Sequence, residues 1–223
     1  MINLRKNTSR TMGAAAHLQQ SFPFDEILKN GGEMVVRDLT KAQFIALTQS
    51  QPELRMERES NGDITIMAPV HGGTGIRENK LNRRVGNWAE KHQMGETFSP
   101  SVGFDLPDGA TKSPDVSWVC SEKMAKLKPA QIEKSFLPVV PDFVGEVRSG
   151  SDRLQKLQDK MLNTWMANGV RLGWLIDPYD EKVYVYKPNG QIEVVSGFDN
   201  TITGEDVMPG FELKLSEFRL YGK

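Results

Sequence analysis

Pro141-Asp-Phe-Val-Gly-Glu-Val147 is an apolar run broken by one interior acid, and Leu172-Gly-Trp-Leu-Ile-Asp177 is a second such run, stopped by Pro178. Between them Leu154, Leu157, Met161 and Trp165 recur at helical spacing within residues 151–168, and Gly169 supplies the stop. A buried strand, a crossover helix and a second buried strand build α/β folds, with the two strands parallel. Residues 182–187 and 191–196 then alternate around Pro188-Asn189-Gly190, a hairpin signal that adds antiparallel strands. The chain is therefore expected to be α/β, with a mixed sheet flanked by helices.

Upstream of that unit the elements are punctuated clearly. Thr40 is a plausible N-cap before Ala42, Phe44, Ile45 and Leu47, and Pro52 marks the end of that helix. Leu54–Glu59 and Asp63–Met67 flank Asn61-Gly62, a turn dipeptide, so a hairpin is expected there. Gly72-Gly73-Thr74-Gly75 opens a helix over 74–91, which buries Leu81, Val85, Trp88 and Ala89. Strands are expected at 97–106 and 114–120. Residues 1–36 show no sustained periodicity and read as an N-terminal arm, with a short helix near Phe24–Leu28. The domain proper then runs over 37–223.

Composition narrows the function classes. Twenty-eight basic and 29 acidic residues leave a net charge of -1, so no global positive field holds the protein on nucleic acid or an anionic membrane. Any such partner must be gripped by a local patch. A single cysteine, Cys120, excludes an internal disulfide and multi-cysteine metal sites, and fits a reducing cytoplasm. No window approaches the roughly 18 apolar residues of a membrane helix. Arg5, Lys6 and Arg10 precede only a short apolar run, Met12–Ala16, too short for a signal-peptide core. A cytoplasmic protein with no membrane partner is the expectation.

Common catalytic signatures are absent: there is no G-x-S-x-G elbow, no Walker lysine loop and no H-E-x-x-H pair. His17, His71 and His92 are scattered, which argues against a histidine-metal cluster. Two acids stand out instead. Asp115 follows Pro114 at the mouth of the strand Val116-Ser-Trp-Val119, and Glu146 interrupts an apolar strand. A carboxylate inside a central strand is costly unless it is paired or binds a cation. Arg148, two residues on, shares a strand face with Glu146, so a structural Glu146–Arg148 ion pair is one reading. Paired carboxylates holding magnesium is the other, because that ion takes hard oxygen ligands and orients a water against a phosphate.

Pro114-Asp115, then Glu146 with a basic residue two places on, resembles the PD-(D/E)XK nuclease arrangement. More specifically, the chain resembles the bacterial Uma family of restriction-endonuclease-type proteins. The resemblance rests on Ser113–Trp118, Pro141–Val147 with Ser149 and Ser151-Asp152, Lys160-Met161, Asn168–Pro178 and Val207–Leu213. It also takes in the hairpin ending Ile66–Pro69 and the helix after Gly72-Gly73, and covers about residues 40–220. It implies a restriction-endonuclease-like core, a magnesium-dependent site (Mn2+ as a substitute) and cleavage of DNA phosphodiesters. It also makes Glu57 an early acidic member of the site, with Glu59 on the same face as the fallback.

The superfamily's final lysine is here Arg148, which stays protonated and cannot act as a general base, though it can stabilise an oxyanion. The resemblance implies that a lysine on the next helix takes over. Lys160 is the candidate, with Lys156 behind it, although Arg153, Lys156 and Lys160 fall on a helix face turned from the apolar stripe. For DNA contact, Arg77, Lys80 and Arg84 form a stripe on the 74–91 helix, and Lys123, Lys126, Lys128 and Lys134 a second basic segment in an expected loop. Trp118, Trp165 and Trp174 read as core. Two functions follow: a magnesium-dependent endonuclease, homodimeric because cutting two strands suits two sites, or a catalytically silent nucleic-acid-binding or assembly protein on the same fold.

Overall fold

The computed structural model describes residues 33–220. In chain order these form β1 (Glu33–Val36), α1 (Lys41–Ser50), β2 (Arg55–Arg58), β3 (Ile64–Met67), α2 (Gly72–His92) and β4 (Gly95–Phe98). Short strands β5 (Phe104–Asp105) and β6 (Thr111–Lys112) follow, then β7 (Val116–Cys120), α3 (Ser121–Met124), α4 (Pro129–Lys134) and β8 (Phe143–Val147). Helix α5 (Leu154–Lys160) runs into a π-helical turn, Met161–Met166, before β9 (Leu172–Asp177). The chain closes with β10 (Lys182–Tyr186), β11 (Ile192–Ser196), β12 (Thr201–Thr203), β13 (Glu212–Lys214) and a 3-10 turn, Leu215–Phe218. The helix expected near Phe24–Leu28 lies outside the described residues.

The chain divides into two compact units. One holds the residues up to Pro69 together with Asp108–Lys112; the other holds Val70–Pro107 and the chain from Ser113 onward. In the first unit the strands run β1-β3-β2-β6, and β3 pairs antiparallel with both β1 and β2. Strand β1 falls on residues that the sequence pattern assigns to the arm. Four residues carry no periodicity of their own, and the ladder to β3, with Val36 opposite Ile64, is what makes them a strand. Helix α1 starts at a capping box: the Gln43 amide donates to the Thr40 hydroxyl at 3.3 Å, and the Thr40 amide donates to the Gln43 side chain at 2.9 Å.

The second unit is built on a six-stranded sheet in the order β11-β10-β9-β8-β7-β4. Strands β8 and β9 are parallel, and the other neighbours are antiparallel. The sheet is mixed, as the strand–helix–strand reading requires. All five residues of β8 and all six of β9 are buried, which fits strands covered on both faces. Helix α2 covers one face through Leu81, Val85, Trp88 and Ala89, packed with Val116, Trp118, Phe143, Val147 and Trp174. Three edge-on ring contacts, Trp88–Trp118 (5.1 Å), Trp88–Phe211 (6.0 Å) and Phe143–Trp174 (4.9 Å), fill this layer.

Two glycines show how closely the layers approach. A Cβ at Gly145 would lie 2.6 Å from Val116 Cγ1 and 2.9 Å from Leu81 Cδ2, so the residue beside Glu146 is held small by α2. A Cβ at Gly173 would lie 2.5 Å from Met161 Cε, so the π-helical turn presses on β9 in the same way. Pleat alternation assigns the two contacts to opposite faces. Gly145 points toward α2; Glu146, and Gly173 opposite Val144, point toward α5 and its π-helical extension. The helix expected over 151–168 is thus α-helical only to Lys160. The strand expected over 97–106 is interrupted between Phe98 and Phe104, and the expected lysine loop contains the short helices α3 and α4.

Gly145→Val adds branched bulk against Val116 and Leu81, and should lower stability by about 1–3 kcal/mol. Urea unfolding followed by tryptophan fluorescence would read this, and an unchanged midpoint would contradict the packing described.

Candidate active site

Glu146 occupies the fourth position of a wholly buried strand, and its residue is 3% exposed. A carboxylate there must be compensated. The structure supplies two donors to one oxygen: Lys160 Nζ lies 2.9 Å from Glu146 Oε1, and the Trp165 indole N–H donates to the same Oε1 at 2.9 Å. The Lys160 ammonium also sits 5.9 Å from the Trp165 ring centroid, within cation–π range. Its side chain is 18% exposed, so the ion pair keeps a path to solvent. The helix count turns Lys160 from the apolar stripe, whereas the structure brings its ammonium onto Glu146, the one acid of the strand beneath.

Asp115 enters from the neighbouring strand. The β7–β8 register pairs Val116 with Gly145, so Asp115 stands at the mouth of β7 next to Glu146. Its carboxylate Oδ2 accepts from the Val147 amide at 2.8 Å, and its own carbonyl accepts from Asn82 Nδ2 of α2 at 2.7 Å. Asp115 is itself buried. Asp115 and Glu146, 31 residues apart in sequence, thus stand on neighbouring strands at the same end of the sheet.

Arg148 goes elsewhere. Its guanidinium donates to Asp177 Oδ2 at 2.7 Å and lies 3.9 Å from Asp180, with the Tyr179 ring 5.5 Å from its carbon. Asp177 is fully buried, and its other oxygen accepts from the amides of Tyr179 and Asp180. The structural alternative, a Glu146–Arg148 ion pair, is replaced by two separate pairs: Glu146 with Lys160, and Arg148 with Asp177. Parallel pairing of β8 and β9 explains the exchange, because it brings the end of β9 beside the end of β8, and the Arg148 amide donates to Ile176 O at 2.9 Å.

The remaining expected site residues have other partners. Glu57, buried on β2 in the first unit, lies 3.3 Å from Lys112 Nζ, and Lys112 also pairs with Glu59. Lys112 carries no sequence signal that would have singled it out. Arg77, Lys80 and Arg84 hold down the C-terminal segment: Arg77 donates to Phe218 O (2.9 Å), Lys80 to Glu217 O (2.6 Å) and Arg84 to both oxygens of Glu217 (2.9 Å each). Lys123 of the second basic segment pairs with Asp142 at 3.0 Å. Asp142, also buried, lies just before β8, and it also accepts from the Cys120 amide at 2.9 Å with Arg171 at 3.4 Å. Burial alone would raise its pKa, but the Cys120 amide and the Lys123 ammonium outweigh that and hold it below the ordinary carboxylate value.

No group of three or more His, Cys, Asp or Glu side chains among the described residues is arranged to hold a metal. The acidic pair Asp115–Glu146 offers hard oxygen donors in the number by which magnesium is commonly held, one or two carboxylates with the rest of its shell from water and phosphate. The residues fit that ion. They do not fit zinc, which takes His and Cys nitrogen and sulfur. Among the described residues no helix is long and apolar enough to cross a membrane.

A family model described as "Uma2: Putative restriction endonuclease" matches residues 42–216. A crystal structure of a "putative nuclease" of the DUF820 group from Anabaena variabilis is similar to this chain, with a TM-score of 0.63 and 20% identity. That similarity covers 73% of this chain and 88% of the other, and establishes the shared nuclease-like fold. The cryo-EM structure of a DrdV–DNA complex is matched at a TM-score of 0.35 and 13% identity, over 53% of this chain and 10% of that one, which bears no weight. No curated protein matches the chain.

Two predictions test the electrostatics. Arg148→Met strands a fully buried Asp177 without its cation and should destabilise the protein by about 3 kcal/mol or more in thermal unfolding. A loss under about 1 kcal/mol would show that the Asp177 amide contacts suffice. Asp142, with its folded pKa depressed, contributes stability that is complete above the unfolded value near 4 and is lost as pH falls through the lower folded value. Melting temperatures of wild type and Asp142→Asn should therefore differ most near neutrality and converge in acid; a constant gap down to about pH 2 would contradict the depressed carboxyl.

Proposed function

The chain belongs to the Uma2 family, and from that premise we propose that it is a nuclease hydrolysing DNA phosphodiester bonds with magnesium held by Asp115 and Glu146. The observation that carries the reading is the end of strands β7 and β8 where Glu146 meets Lys160 at 2.9 Å and Asp115 stands on the adjoining strand. When bound, magnesium supplies a water of lowered pKa and neutralises charge on the phosphate. Manganese would substitute at the same oxygen donors.

The protein's own groups do the rest. Asp115 is oriented by the Val147 amide, so its carboxylate is fixed before any ligand arrives. Lys160, the solvent-reaching cation at the site, holds a proton-bearing ammonium beside Glu146 and stabilises negative charge that develops on a phosphate oxygen. Arg148 belongs to the scaffold, since its guanidinium is engaged by Asp177. Glu57 lies in the first unit, where Lys112 balances it. In the expected nucleic-acid stripe Arg77, Lys80 and Arg84 each donate to residues 217–218, and their remaining N–H donors are the ones a phosphate would meet. A homodimer, with one site for each strand of a duplex, completes the proposal.

The test is plasmid cleavage with and without magnesium. Glu146→Gln and Lys160→Met should each reduce metal-supported cleavage by about a hundredfold or more, the usual loss for one electrostatic stabiliser. Wild-type protein that binds DNA but shows no metal-dependent cleavage would refute the nuclease reading in favour of a catalytically silent nucleic-acid-binding protein.

A further inference from the structure

Trp165 reads from sequence as a core residue, and it is fully buried. Of the other indoles in the second unit, those of Trp118 and Trp174 are buried with no acceptor, and Trp88 donates to Pro209 O at 3.0 Å. Trp165 alone among these four donates to a carboxylate, and that carboxylate is Glu146. The backbone makes this meeting possible. In an α-helix, residues five apart are separated by about 140° around the axis. A π-helical turn, closed by bonds between residues five apart, brings such residues toward the same face. The Ala167 amide, capping the turn, donates to Leu162 O at 3.1 Å across five residues. The turn begins at Met161, directly after Lys160, and Lys160 and Trp165 are five apart. Both reach Glu146 Oε1 at 2.9 Å.

We propose that Trp165 is a positioning residue: the π-helical turn places its indole N–H beside Lys160, and the hydrogen bond holds the Glu146 carboxylate in the orientation that receives a divalent cation. The inference rests on the metal-binding reading above. A buried indole whose only task were to fill space would be replaceable by phenylalanine. Met161 already occupies the face of the turn that presses on Gly173, so the packing of the layer does not depend on the Trp165 N–H. What the N–H adds is a fixed donor on one carboxylate oxygen, which is how groups behind a metal ligand set its direction.

The direct experiment is a magnesium titration of the wild-type protein, followed by the indole N–H signals in a 15N-correlated NMR spectrum. The Trp165 signal is assigned by its loss in Trp165→Phe. The Trp165 N–H should shift along the same saturation curve as the Asp115 and Glu146 amides, while Trp118 and Trp174 stay nearly still. Manganese binding by calorimetry should weaken about tenfold or more in Trp165→Phe, the scale seen when groups behind a metal ligand are removed, with the fold intact by circular dichroism. If the backbone amides saturate but the Trp165 N–H does not move and manganese affinity is unchanged, the positioning role is overturned and the metal site stands. If nothing in the spectrum responds to magnesium, both fall. Should Trp165→Phe not fold, the wild-type titration alone decides, with the Trp165 signal assigned through its neighbours.

Discussion

A carboxylate on the innermost strand of a sheet has to be compensated where it sits, and much of the second unit is arranged around that requirement at Glu146. Strand β8 is buried on both faces, so the acid cannot reach water along the strand. Lys160 supplies the charge and Trp165 the neutral donor, both from the helix that crosses back over the sheet. The crossover therefore both links parallel strands and brings the counter-ion. Its change from α to π winding after Lys160 lets two residues five apart serve one oxygen.

The same rule is met differently at the two ends of β8. Asp142, just before its start, is held by the Cys120 amide, Lys123 and Arg171, all from flanking segments. At its end Arg148 turns to Asp177, the last residue of the parallel neighbour, which also closes the turn into Tyr179 and Asp180. These two carboxylates are fully engaged by scaffold groups. Glu146 differs in the origin of its donors: the Lys160 ammonium and the Trp165 indole reach one oxygen from the crossover helix and its π-helical extension, and Asp115 stands on the adjoining strand.

Helix α2 serves on the other face. Its apolar stripe packs on β7 and β8, Asn82 fixes the carbonyl of Asp115, and its basic stripe clasps residues 217–218. Cations that read as a nucleic-acid grip in sequence also tie down the chain's last described turn. A stripe of lysine and arginine beside an apolar face specifies only that the side chains lie at the edge of the packing, and a carboxylate or a row of carbonyls satisfies it as well as a phosphate.

Local pattern was enough for the strand–helix–strand unit, the Asn61-Gly62 hairpin, the Thr40 cap and the mixed sheet, because periodicity and turn chemistry act over a few residues. It was also enough to mark Glu146, since one acid in an apolar run stands out against its neighbours. Pairing lay beyond it. Whether Arg148 balances Glu146 or Asp177 depends on which strand end lies alongside, a choice made by parallel register across about thirty residues of chain. Strand β1, the Lys112 pair with Glu57 and Glu59, and the donor role of Trp165 likewise exist only through contacts distant in sequence. Spacing decides which face a side chain shares. Only the folded sheet and the winding of the helix above it decide which group on that face it meets, because those distances are set by packing rather than by position along the chain.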